Sequence, residues 1–105
     1  MQSLTRLIDI CYGQFQASTC DAEALLASDL KGKHEIILIQ LWMIASRMQD
    51  DLERLDELVA EAGADTRGAD LLLSARATLE SLRDAIVAYR VRHMGSGFGG
   101  QTTNL

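Results

Sequence analysis

The 105-residue sequence has no proline, two cysteines, two histidines, few aromatics and fewer basic than acidic side chains. Each shortage excludes something. Without proline there are no fixed backbone kinks and no polyproline segment for an aromatic-lined groove. Cys11 and Cys20 are nine positions apart, a spacing that suits neither a redox CxxC pair nor a zinc-ligand pair. No secretory leader pattern precedes them, so both are expected as reduced thiols in a cytoplasmic protein. Ten Lys and Arg stand against 15 Asp and Glu, a net charge of −5, which argues against gripping phosphate backbones as the main task. The longest apolar run, Ile36 to Ala45 interrupted by Gln40, is about half the length that spans a bilayer, so no membrane segment is expected. Nucleophile elbow, phosphate-binding glycine loop and dinucleotide fingerprint are missing. His34 and His93 lack the HxxxH or ExxH spacing of a preformed metal site. Neither a metal, a cofactor nor an enzymatic activity is expected.

What remains is rich in Ala, Leu, Glu, Asp and Arg, all compatible with helix. Glycine punctuates it at Gly13, Gly32, Gly63 and Gly68 and then clusters from Gly95 to Gly100. No stretch alternates with period two, so the fold class is all-α. The pattern divides into helices over about 3–16, 20–31, 33–62 and 66–94, forming one domain over 1–94, with a glycine-rich tail over 95–105 expected to be flexible. Ser3 caps the first helix, and Ser18 and Thr19 offer hydroxyls to cap a second. The third helix fits a heptad with Leu38, Ala45, Leu52 and Val59 at a and Leu41, Met48, Leu55 and Ala62 at d. The fourth has Leu72, Leu79, Ile86 and His93 at a and Ala75, Leu82 and Tyr89 at d. The expected architecture is a long antiparallel helical hairpin, coiled-coil-like in its seam, with two short N-terminal helices packed beside it.

The hairpin seam, a and d with some help from Ile37, Ile44 and Leu58 at g, leaves part of the third helix without cover. Ile36, Ile39, Trp42 and Met43 fall at f, b, e and f, all in its first half. Leaving Ile36, Ile39 and Met43 in water forgoes on the order of 5 kcal/mol or more at typical burial values. The N-terminal helices supply a partial wrap, and a second subunit or another protein closes the rest. These four residues are the expected partner or dimer interface, on a small protein–protein interaction module of the adaptor, chaperone-like or regulator-antagonist kind. A homodimer is the simplest assembly.

Arg76, Arg83 and Arg90 recur every seven residues at e. An antiparallel fold sets them near Asp56, Gln49 and Trp42, giving an ion pair, a polar contact and a cation–π stack along one edge. With Arg92 and His93, and with Lys31 and Lys33 near the same open end, they also offer a basic stripe, the basis of an alternative reading as a nucleic-acid-associated regulator. A third reading is a structural subunit of a larger assembly. His34 and His93 fall near the open end, where capping or solvated roles suffice.

Overall fold

The computed structural model describes residues 3–28, 32–63 and 66–95. It is all-helical: α1 (Leu4–Leu26), α2 (His34–Ala62) and α3 (Thr66–Arg90), the last continuing into a π-helical turn at Val91–Gly95. The expected flexible tail beyond residue 95 lies outside the described residues.

The two short N-terminal helices expected over 3–16 and 20–31 are instead one helix. Ser3 does cap it, its hydroxyl accepting from the Arg6 amide. Ser18 and Thr19, however, start nothing. The Thr19 hydroxyl donates to the Phe15 carbonyl one turn back at 3.0 Å, a bond a mid-helix threonine makes without ending the helix. Ser18 is buried, and its oxygen accepts from Arg47 Nε at 3.3 Å. With both hydroxyls engaged, the stripe Ile8, Cys11, Phe15, Ser18, Ala22 runs unbroken at spacings of three and four.

α2 ends where glycine permits it. Gly63 has φ of +86°, a conformation that side chains disfavour, and its amide donates to the Val59 carbonyl. α3 buries Leu72, Ala75, Leu79, Leu82, Ile86 and Tyr89, alternating at three and four residues. The expected fourth helix to residue 94 is α-helical only to Arg90. Beyond it the wider π turn brings His93 against Tyr89 and His34.

Side-chain contacts give the direction of each pass. Arg76 meets Asp56 and Arg83 meets Gln49, so α3 runs against α2. Cys11 meets Asp51 and Ser18 meets Arg47, so α1 also runs against α2. Asp9 meets Arg67 and Tyr12 meets Ser74, so α1 and α3 run side by side in the same direction. α2 is thus the middle pass of a three-helix bundle. Its position keeps d, and Ala45 at a, in the core and shifts the rest of the buried arc from a toward g, where the sequence places Ile37, Ile44 and Leu58. Ile37, Ile44 and Leu58 at g are buried against the α1 side, together with Leu41, Met48 and Leu55 at d, whereas Leu38, Leu52 and Val59 at a are only partly covered. No buried side-chain nitrogen or oxygen lacks a partner among the described residues.

Candidate functional site

Cover from α1 falls on the g side of α2 and cover from α3 on its a and e side, so the b and f positions point away from both. In the second half of the helix these positions include Asp50, Glu53 and Glu57, which water accommodates. In the first half they are Ile36, Ile39 and Met43, exposed by 51%, 54% and 65%, with Trp42 beside them at 41%. Four large apolar side chains within eight residues of one helix form a contiguous stripe.

The two borders of the stripe differ. Toward α1, Arg47 is tied to Ser18. Toward α3, the ladder begins with Arg76 at 3.8 Å from Asp56, both half-exposed, and Arg83 Nη2 donating to Gln49 Oε1 at 2.9 Å. Exposed pairs of this sort contribute little stability and mainly fix an edge. Arg90 makes no cation–π contact with Trp42 among the described residues. The guanidinium on a ring at this end is that of Arg92, 6.0 Å from the Tyr89 centroid, because the π turn carries Arg92 back over the residue three before it.

The open end of the bundle holds a cluster that sequence reasoning did not assemble. His34, opening α2, and Tyr89, in the last turn of α3, share a hydrogen bond of 2.9 Å between Nδ1 and the phenol oxygen. The His93 ring stacks on His34 at 4.2 Å and leans on Tyr89 at 4.5 Å. Arg92 Nε donates to His93 Nε2 at 3.3 Å. The a and d positions of His93 and Tyr89 were the available signal, since those positions face α2. No group of three or more metal-ligating side chains gathers among the described residues.

Neither thiol forms a disulfide. Cys20 is exposed, while Cys11 is buried and donates to the Asp51 carbonyl at 3.3 Å. Burial pushes the Cys11 thiol above its ordinary range, and the Asp51 carboxylate adds to this against a smaller opposing effect of Arg54. Its reactive thiolate is therefore suppressed. Between α1 and α3 lies an open groove of about 410 Å³, lined by residues that include Thr19, Glu23, Leu26, Ala77, Thr78 and Ser81. Among these, Glu23 is the single carboxylate. No described helix is long and apolar enough to cross a membrane. Comparisons with protein-family models, with curated proteins and with solved structures find no match to this chain.

Proposed function

We propose that this chain is a non-catalytic protein–protein interaction module whose working surface is the first half of α2. The α2–α3 hairpin is the rigid support, α1 closes its other side, and Ile36, Ile39, Trp42 and Met43 receive an apolar helical segment. The observation that carries this reading is the exposure of four such side chains together. Among the described residues the other large exposed apolar side chains, Ile10, Leu73, Val87 and Val91, stand on α1, on α3 and in its π turn, with no comparable run among them. An amphipathic helix with anchors at intervals of three and four residues is the complementary shape. The same stripe is open to self-association, with a second copy supplying that helix. No observation favours a nucleic-acid role, because Arg76 and Arg83 already serve the α3 edge and the surface of α2 is acidic beside them.

Trp42 is the only tryptophan and lies inside the proposed contact, so it reports occupancy directly. Titrating a panel of amphipathic helical peptides should shift its emission to shorter wavelength, and Ile39→Asp should remove the shift. Ile39 is exposed, so this variant should keep its helix content. A panel that leaves Trp42 unchanged, or binding that is indifferent to Ile39→Asp, refutes the reading.

A further inference from the structure

We infer that the occupant of the α2 stripe is a second copy of this chain, with the two α2 helices antiparallel about a twofold axis that passes between Ile39 and Met43. The inference rests on the interaction reading above and names its partner and its register.

The outer face of α2 is divided along its length. Its b and f positions read Ile36, Ile39 and Met43, then Ser46 at the boundary, then Asp50, Glu53 and Glu57. That division selects one pairing. Two copies aligned in parallel along the whole helix match the apolar halves but set carboxylates against carboxylates. Full-length antiparallel pairing buries isoleucines against carboxylates, which must then lose water without gaining a partner. An antiparallel pair shifted toward the N-termini places Ile39 on Met43 of the partner subunit and Ile36 over Ser46 of the partner subunit. Serine is small enough to admit the isoleucine, and a helical serine hydroxyl covered in this way has the carbonyl one turn back as its acceptor. The acidic halves then project beyond the overlap, and self-complementary contacts of this kind are what a cyclic dimer requires.

The same register brings opposite charges together. Asp50 falls within one residue of level with Lys33 of the partner subunit, and the symmetry repeats the contact. Lys33 is also the residue before α2, and it makes no side-chain capping hydrogen bond. The leading amides of α2 are thus without a side-chain acceptor from their cap, and the positive end of the helix dipole lies there. A carboxylate arriving from another chain suits both the ammonium and the positive end of the helix dipole. Asp50 is exposed and lies just beyond the apolar stripe and Ser46, the distance the shift demands.

The area bounds the size of the contact. Ile36, Ile39, Trp42 and Met43 present on the order of 400 Å² of apolar surface, a patch of interaction-site size. A standard interface takes about 800 Å² from each partner, so polar rim groups such as Gln40, Ser46, Lys33 and Asp50 supply the remainder. Association through such a patch is read as a concentration-dependent mass.

Sedimentation of the full chain over a concentration series tests this. The expected result is a monomer–dimer equilibrium that Ile39→Asp abolishes with helix content unchanged by circular dichroism. Lys33→Glu and Asp50→Lys should each weaken association about tenfold, since both copies then oppose like charges, and the double variant should recover most of the loss. A mass that stays monomeric at every concentration overturns the dimer, as does a dimer that survives Ile39→Asp. Association lost in Ile39→Asp but indifferent to the charge exchange overturns the register. The peptide titration separates the two proposals: a monomer whose Trp42 responds to helical peptides loses the second copy and keeps the interaction surface, whereas a monomer with an unresponsive Trp42 loses both.

Discussion

Asp51 shows how one side chain on the α1–α2 boundary acquires a pH-dependent effect on stability. Its backbone carbonyl accepts the Cys11 thiol, which fixes the residue against α1 and partly removes its carboxyl from water. Burial pushes that carboxyl above the ordinary aspartate range; Arg47 pulls it down, and the neighbouring Asp50 pushes it up again. The folded chain accordingly holds the proton more tightly than the unfolded chain does, so ionisation weakens the fold. The group's contribution is fully present below the unfolded aspartate value and is lost as pH rises through the raised native one. Asp51→Asn should therefore track the parent in acid and exceed it in stability at neutral pH. Urea midpoints measured from about pH 3 to about pH 7 decide the point; an asparagine variant weaker than the parent at neutral pH would mean that attraction to Arg47 outweighs desolvation. On the other side of the same contact, burial and the Asp51 carboxylate hold the Cys11 thiol in its protonated form.

Among the elements, α1 is where glycine and hydroxyls mislead most. Gly13 lies on its exposed side, and a Cβ built there meets nothing within 4 Å. Glycine inside a helix is about 0.5–1 kcal/mol worse than alanine, so Gly13→Ala should raise stability by about that amount and shift the thermal midpoint upward. No rise would imply that the glycine compensates for strain elsewhere in α1. The course of α2 was legible in sequence, since the expected 33–62 compares with His34–Ala62, because Gly63 carries a backbone angle that ends a helix locally. The continuity of α1 was not. Whether Ser18 and Thr19 cap a new helix or bond within an old one depends on Arg47 and on the packing of Phe15, neither of which is local information. The burial of Ile37, Ile44 and Leu58 at g was legible in part, since they flank the seam, but their full cover follows from where α1 lies. Exposure of Ile36, Ile39 and Met43 was readable, since two neighbours covering a, d, e and g leave b and f over. The His34, Tyr89 and His93 cluster needed the π turn, and no residue in VRHMG announces one.

At the scale of the whole molecule, the question is whether α1 is an appendage to the α2–α3 pair or part of one cooperative unit. Contacts favour a unit: Asp9 reaches Arg67 and Tyr12 reaches Ser74 on α3, while Cys11 and Ser18 bond to α2. Ile8, Phe15, Leu41, Met48 and Leu79 belong to a single buried cluster drawn from all three helices. Removing α1 would uncover Ile37, Ile44 and Leu58 on α2 as well as its own stripe, which is too much apolar surface for two helices to leave wet. Phe15→Ala tests this globally, because it opens a cavity under α1 worth about 3–5 kcal/mol, a large share of the roughly 5–15 kcal/mol that holds a domain folded. Trp42 lies on α2, on the face turned away from α1, and so reports on the rest of the bundle rather than on α1 alone. In one cooperative unit, helix content and Trp42 emission lose structure together in both parent and variant, with the variant's midpoint lower in each signal. If α1 instead unfolds first, helix content falls in two steps, Trp42 follows only the second, and Phe15→Ala leaves the Trp42 midpoint unmoved.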